Sequence, residues 1–250
     1  MKKLIFSLLL FSLTLPALAQ AGMWVGVKNI QIEKKSKKVL FSLKAEYPFS
    51  EESITADVIR EWINESLGGS YTGDLKDYGA MMEYYASRTI QNYADADVEP
   101  DFGPSEETYE FKRGHETAGI ITYRMNHFTY FSGAAHGMDL DLSITFRKKD
   151  GRRFGWDMFT GEALARLKPI IANRLRVNYG EDTFFKVPRA EDPEFALPEM
   201  APYISADGVV FTYPPYEIAP FAAGFITVTL PLTMVKSMLN ATGQTFISAL

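Results

Sequence analysis

Residues 138–146 read MDLDLSITF, and apolar and polar residues alternate in them without a break. Successive side chains of an extended strand point to opposite faces of a sheet. The apolar positions from Met138 to Phe146 therefore share one face, and Asp139 and Asp141 lie on the other. This pattern predicts a strand of an antiparallel sheet with one buried side and one side open to water.

The flanking sequence predicts further strands and four helices. Alternation and β-branched residues predict strands within residues 29–49, 108–113, 119–131, 202–215 and 223–230. Apolar residues at helical spacing predict helices at residues 53–69, 74–94, 161–180 and 231–239. Asp150-Gly151 predicts a hairpin turn, and Pro169 predicts a kink or restart in the third helix. Because helices and hairpin-linked strands are interspersed, we expect an α+β fold of antiparallel sheets with packed helices.

An acidic, proline-containing segment interrupts the pattern of strands and helices at residues 95–107, DADVEPDFGPSEE. Such a composition is typical of a linker between domains or of an excursion within one domain. We place a boundary here and expect two small subdomains, an N-terminal one at residues 24–106 and a C-terminal one at residues 107–250.

The first 19 residues have the features of a cleavable secretion signal. Lys2 and Lys3 precede the apolar run LIFSLLLFSLTLPAL, and the small residues Ala17 and Ala19 fit cleavage after Ala19. We therefore expect a periplasmic or secreted protein. No later run is apolar enough to cross a bilayer, so we expect no membrane span after cleavage.

The net charge and the absence of cysteine argue against some classes of partner and of chemistry. The formal net charge is −5, and loss of the two lysines of the signal would make it −7. This acidity argues against a nucleic-acid partner, which needs a basic surface, and is compatible with a cationic protein partner. The sequence contains no cysteine, which excludes disulfides and thiolate chemistry.

One candidate site is the turn YFSGAAHG at residues 130–137, which places His136 shortly before Asp139 and Asp141. A metal site needs at least three converging ligands. His136 shares its strand parity with Met138, whereas both aspartates project from the opposite face, so we predict no metal site. The alternative is that the turn rotates His136 towards the aspartates, which would form a polar or catalytic site.

The second candidate is the loop YPPYEIAPFAAG at residues 213–224, which is rich in proline and aromatic residues. Rigid aromatic side chains cost little entropy to order and suit binding surfaces. We predict that Tyr213, Tyr216 and Phe221, together with His136, contact a partner. The alternative is a loop folded back over the core.

No catalytic or cofactor motif accompanies these candidates. The nucleophile elbow, the phosphate-binding loop, the His-Glu-x-x-His motif and the dinucleotide fingerprint are all absent from the sequence. The sequence therefore indicates no cofactor and favours a protein without catalytic activity.

The two candidate segments together resemble a known extracellular family. YFSGAAHG with FGWDMF, and DGVVFTYPPYEIAPFAAGFITVTLP, are similar to the domain of unknown function 3298 over about residues 118–239. The segment at about residues 27–101 is similar to the smaller domain 4163 that precedes it. The family occurs at the extracellular end of the anti-sigma factor RsiV and beside the catalytic domain of the peptidoglycan deacetylase PdaC.

The resemblance implies a binding role. The RsiV domain is understood to bind lysozyme, and deacetylation by PdaC belongs to a separate domain. We therefore expect a non-catalytic cell-envelope protein whose partner is a lysozyme-like protein or a glycan such as peptidoglycan. Two alternatives remain: a hydrolase of envelope glycan or peptide that uses His136 with Asp139 or Asp141, and a structural module of an envelope assembly.

Overall fold

The computed structural model describes residues 25–96, 102–180, 188–189, 191–192, 195–248 and 250 of the 250-residue chain. The predicted secretion signal lies outside the described residues. The strands are Val27–Lys35 (β1), Val39–Pro48 (β2), Ser105–Glu116 (β3), Ile120–Tyr130 (β4), Met138–Arg147 (β5), Tyr203–Ser205 (β6), Gly208–Tyr213 (β7) and Ile226–Leu230 (β8). The helices are Ile54–Ser66 (α1), Tyr78–Asp95 (α2), Gly161–Tyr179 (α3), Leu232–Val235 (α4) and Ala241–Ile247 (α5).

The first five strands form one sheet in the order β1-β2-β3-β4-β5, and the last three form a second sheet in the order β6-β7-β8. The predicted α+β class is confirmed. One pairing differs from the expected antiparallel arrangement, because β2 and β3 run parallel from Val39 opposite Ser105 to Ala45 opposite Phe111. The reason is that α1 and α2 lie between these strands in the chain and return it to the same end of the sheet.

Helices α1 and α2 cover one face of the five-stranded sheet. Ser53 caps α1, since its hydroxyl accepts a hydrogen bond from the Ala56 amide at 3.2 Å. Trp62 of α1 packs edge-on against the rings of Phe111, Tyr123 and Phe146. These contacts join three strands to one helix and form the centre of the N-terminal core.

A second core lies between α3 and the three-stranded sheet. It includes Leu167, Ile171 and Leu175 of α3, packed with Phe211 and Val228 of the sheet. Helix α3 continues through Pro169 without restarting. Pro169 and Ala165 both lie on the exposed side of the helix, so water can satisfy the carbonyl group that the proline leaves unbonded.

Strand β4 lies between the two cores. Ile120 belongs to the C-terminal core and its neighbour Ile121 to the N-terminal core, because successive side chains point to opposite faces of the sheet. The sheet also continues through the predicted boundary, since residues 106 and 107 both lie inside β3. β3 pairs with β2 on one side and β4 on the other.

The polar face of β5 is not open to water along its whole length. At its C-terminal end Thr145 is fully buried under β6, and at its N-terminal end the apolar residues Met138 and Leu140 are exposed. The predicted alternation is therefore correct, but the sequence did not show which parts of each face would be covered.

Two hydrogen bonds fasten β6 to the five-stranded sheet, and a third joins the two threonines that make them; we call Thr122, Thr145 and Ile204 the threonine joint. Thr122 donates to the Ile204 carbonyl at 2.7 Å, and the Ile204 amide donates to Thr145 Oγ1 at 2.8 Å. The hydroxyl of Thr145 is then left to donate to Thr122 Oγ1, also at 2.8 Å. Every polar atom in this buried contact has a partner.

Among the helices of the described ranges, none combines the length and the hydrophobicity that crossing a membrane requires.

Candidate functional site

Two loops that are distant in sequence meet at the surface: residues 131–137 before β5, and residues 214–225 between β7 and β8. The His136 ring stacks on Phe221 with centroids 4.0 Å apart and an interplanar angle of 21°. Tyr216 stacks on the same Phe221 ring at 5.8 Å. We call His136, Phe221 and Tyr216 the aromatic stack. It contains three of the four residues that the sequence predicted as binding residues.

Local contacts fix the orientation of His136. A Cβ atom at Gly137 would lie 2.3 Å from the Phe128 ring, so this close approach requires glycine. His136 Nδ1 lies 2.8 Å from the Gly137 carbonyl oxygen. Because a carbonyl oxygen accepts only, Nδ1 carries the hydrogen, and in the neutral ring Nε2 remains a hydrogen-bond acceptor.

Tyr216 is held in an unusual backbone conformation. Its φ is +74°, and within the described ranges no other residue except glycine has a positive φ. Its amide donates to the Ala219 carbonyl at 2.9 Å, which closes the turn, and its side chain is 64% exposed. Backbone strain of this kind occurs most often at binding and switch sites, where the surrounding structure maintains it.

Glu217 follows Tyr216 and turns inward. Its Oε1 accepts a hydrogen bond from the Glu199 amide at 3.0 Å, whereas Oε2 is buried without a partner. Burial, with a smaller contribution from the nearby Glu199 carboxylate, raises the pKa of Glu217 above its usual value. This loop therefore contains a destabilised carboxylate next to a strained residue.

Tyr213 lies apart from the stack. It is fully buried, and its hydroxyl donates to the Ala196 carbonyl at 3.0 Å. The residue belongs to β7 and contributes to the C-terminal core, because the strand ends just before the loop leaves the sheet. Its side chain therefore packs in the core and is not presented at the surface.

The aspartates are placed by β5. Asp141 forms a bidentate ion pair with Arg124 of β4, in which Nε donates to Oδ1 at 2.7 Å and Nη2 donates to Oδ2. The hydrogen bonds that Arg124 donates to the Asp141 carboxylate raise the pKa of its guanidinium. Asp139 is exposed on the same strand face.

A cleft of about 240 Å³ opens beside this ion pair, between β5 and the three-stranded sheet. Its walls include Ser143, Tyr203 and Phe225. Burial raises the pKa of the Tyr203 hydroxyl, so this group remains a neutral donor and acceptor at physiological pH. The cleft therefore offers hydroxyl groups, one charged pair and two aromatic rings to a ligand.

His136 and the two aspartates do not form one cluster in the described residues. Both oxygens of Asp141 are bound by Arg124, and the described residues show no hydrogen bond or ion pair between His136 and either aspartate. Nor do those residues contain a group of three or more histidine or acidic side chains that could hold a metal ion.

The sequence analysis missed Arg124 and Tyr203. Arg124 occupies a polar position in the alternating segment 119–131, so its face was predictable from the sequence. Its pairing with Asp141 depends on the register of β4 against β5. This register places Arg124 opposite Ser143, which is two residues from Asp141 on the same face of β5. Tyr203 reaches the cleft only because β6 packs across β5, which is a tertiary contact.

Comparison with known proteins identifies a family of uncharacterised function. Residues 156–233 match the model of the family described as "Protein of unknown function (DUF3298)". This segment contains Tyr216 and Phe221 and excludes His136 and both aspartates. No curated protein matches the chain.

Two solved structures share the fold. A member of the DUF3298 family from Bacteroides fragilis is 17% identical, with a TM-score of 0.71, over 90% of this chain and 97% of that one. A DUF3298 family protein from Pseudomonas aeruginosa is 15% identical, with a TM-score of 0.56, over 88% of this chain and 97% of that one. The chain thus contains a DUF3298 domain match at residues 156–233 and has a fold like that of solved DUF3298 family proteins.

Proposed function

We propose that this protein is a non-catalytic binding protein of the cell envelope that contacts a protein or glycan partner through the aromatic stack. The observation that carries the proposal is the meeting of two sequence-distant loops at an exposed aromatic surface, with Tyr216 in a strained conformation. Rigid, stacked rings lose little entropy on binding and are typical of interface hot spots.

The neighbouring cleft supports the same proposal. A glycan is bound by hydroxyl, amide and charged groups around an aromatic ring, and the cleft contains Arg124, Asp141 and Tyr203 near Phe225. The stack and the cleft share two chain segments, β5 with its preceding loop and β8 with its preceding loop, and the cleft also includes Arg124 of β4 and Tyr203 of β6. A partner could therefore contact both.

Charge and the predicted export indicate the kind of partner. The formal net charge of −5, or −7 after removal of residues 1–19, favours association with a cationic partner. This attraction is screened over about 8–10 Å at physiological salt, so it affects mainly the rate of association. We include export in the proposal on the strength of the N-terminal pattern, and a lysozyme-like partner on the strength of the family resemblance.

The test is capture of c-type lysozyme and of isolated peptidoglycan by the immobilised protein, at low and high salt. We expect saturable, stoichiometric capture of one of the two, and weaker capture at high salt. Phe221→Ala should lower the affinity by about tenfold or more, because it removes the central ring of the stack.

Phe49→Ala is the matched control, since Phe49 is 43% exposed at the far end of β2. It should leave the affinity within about twofold of the parent value. Failure of the parent protein to capture either partner would overturn the proposal. Equal affinities for the parent protein and Phe221→Ala would remove the aromatic stack from it.

A further inference from the structure

A second cluster, partly buried, lies on the helix-covered face of the five-stranded sheet, next to the last turns of α2. Its centre is Glu107 of β3, whose side chain is 16% exposed. The Tyr109 hydroxyl donates to Glu107 Oε1 at 3.0 Å, and His127 Nε2 lies 3.7 Å from the same oxygen. His127 Nε2 itself is buried without a hydrogen-bond partner.

Aromatic rings surround this carboxylate. Tyr109 and His127 are directly opposite in the β3–β4 register, and their rings stack with centroids 4.0 Å apart and an interplanar angle of 6°. Tyr93 of α2 stacks on Phe131 at 6.3 Å, and Phe131 is 59% exposed. Burial and the charge of Glu107 raise the pKa of Tyr93 to about 12, which agrees with a position of Tyr93 close to the carboxylate.

Among the described residues, the basic side chain within ion-pair distance of this carboxylate is His127. Across the described ranges, no lysine or arginine nitrogen lies within ion-pair distance of Glu107. A cavity of about 200 Å³ opens at Glu107 and Tyr109, and polar side chains of α2 form its opposite wall. One of them, Arg88, donates to the Tyr84 hydroxyl at 3.1 Å.

We infer that Glu107, with Tyr93, Tyr109, His127 and Phe131, forms a binding site for an organic ammonium ion. The ammonium group would donate to the Glu107 carboxylate, which is a charge-assisted hydrogen bond in a partly dehydrated position. The ring faces would attract the cation and pack against its alkyl stem. The ligand is a lysine side chain of a protein or a free alkyl polyamine.

This inference does not depend on the aromatic stack, because none of the five residues belongs to the stack or to the cleft beside Asp141. It assigns a role to the Glu107 carboxylate, whose partial burial costs desolvation free energy. The neighbours of Glu107 are the Tyr109 hydroxyl and His127 but no lysine or arginine, and a bound ammonium ion would offset the cost of burying its carboxylate.

The test is an NMR titration of the purified protein with N-α-acetyl-lysine amide, spermidine and the neutral analogue N-α-acetyl-norleucine amide. The ring signals of Tyr93 and Tyr109 would be followed. We expect saturable shifts with the amines and none with the norleucine compound. Glu107→Gln, which preserves the shape of the side chain, should weaken amine binding by about tenfold or more.

Glu106→Gln is the matched control, because Glu106 is the neighbouring carboxylate and points to the opposite face of β3. It should bind the amines as the parent protein does. Tighter binding of the lysine compound would identify a protein side chain as the ligand, and tighter binding of spermidine would identify a polyamine. Unchanged affinity in Glu107→Gln, or equal binding of norleucine, would overturn the inference.

Discussion

Two of the contacts between the five-stranded sheet and the C-terminal part of the chain, the threonine joint and the aromatic stack, differ in burial and in chemistry. The threonine joint is closed from water, and three hydrogen bonds satisfy its polar atoms. The aromatic stack lies at the surface, is held by ring contacts and includes a residue with strained backbone. The threonine joint fixes the two sheets against each other, whereas the aromatic stack leaves aromatic surface available to a partner.

The difference indicates how stability and recognition are divided in this fold. A buried hydroxyl without its partner costs the free energy of desolvation, so the threonine joint tolerates little change. An exposed ring keeps much of its surface in water and contributes less to folding than a buried ring. Substitutions in the joint should therefore change stability, and substitutions in the stack should change binding.

The largest effect on stability is expected for Thr145→Val. Valine has nearly the same shape as threonine but leaves the Ile204 amide buried without an acceptor. We expect the free energy of unfolding to fall by about 1–3 kcal/mol, measured by urea denaturation. The control is Thr129→Val, at a partly exposed position of β4, which should change stability by no more than about 0.5 kcal/mol. Equal effects of the two substitutions would contradict the role of the joint.

A smaller effect is expected at Tyr216. Substituting this residue by glycine and by alanine distinguishes the effect of its backbone conformation from the effect of its ring. Glycine relieves the positive φ, and alanine retains the strain. Tyr216→Gly should therefore be more stable than Tyr216→Ala by about 1 kcal/mol in thermal or urea unfolding. Both variants should bind the partner more weakly, since both lack the ring. A Tyr216→Gly variant less stable than Tyr216→Ala would show that φ is not the source of strain.

The smallest effect concerns Glu217 and depends on pH. Its pKa in the folded protein is raised, so folding favours the protonated carboxyl group. The favourable contribution is present below the unfolded-state pKa and is lost as the pH rises through the folded-state pKa. Glu217→Gln should thus be more stable than the parent protein near pH 7, and the difference should shrink towards about pH 4.

The stability difference between Glu217→Gln and the parent protein should be modest. The carboxyl group retains some contact with solvent and accepts one hydrogen bond from the Glu199 amide. Urea unfolding of both proteins across this pH range measures it, and Glu52→Gln at an exposed position is the control. A stability difference that is independent of pH would exclude ionisation of Glu217 as its cause.

The α+β fold was predictable because strand alternation and helical periodicity are local properties. The alternation of residues 138–146 predicted β5, and apolar spacing predicted α1, α2 and α3. Helix α5 was missed, since its seven residues ATGQTFI form too short a periodic pattern to distinguish from a loop. The parallel pairing of β2 with β3 was missed because it depends on where two intervening helices pack.

The candidate site was predictable in its parts and not in its assembly. Two separate motifs indicated His136 and the loop with Tyr216 and Phe221, and the structure brings all three rings together. Tyr213 shared the aromatic composition of the loop but lies in the core, because composition does not show where β7 ends. The Glu107 cluster had no sequence motif, since its residues come from α2, two strands and the loop after β4.

The parallel pairing of β2 and β3 has a consequence for the order of folding. β1 with β2, and β3 with β4 and β5, are antiparallel neighbours that can form soon after synthesis. The pair that unites them closes a loop from Val39 to Ser105, which carries a larger entropic cost and slows folding. Until β3 arrives, the inner edge of β2 exposes unpaired amide and carbonyl groups and can pair with another chain. Aggregation during folding should therefore begin at β2, and a chaperone that shields this edge would raise the yield of folded protein.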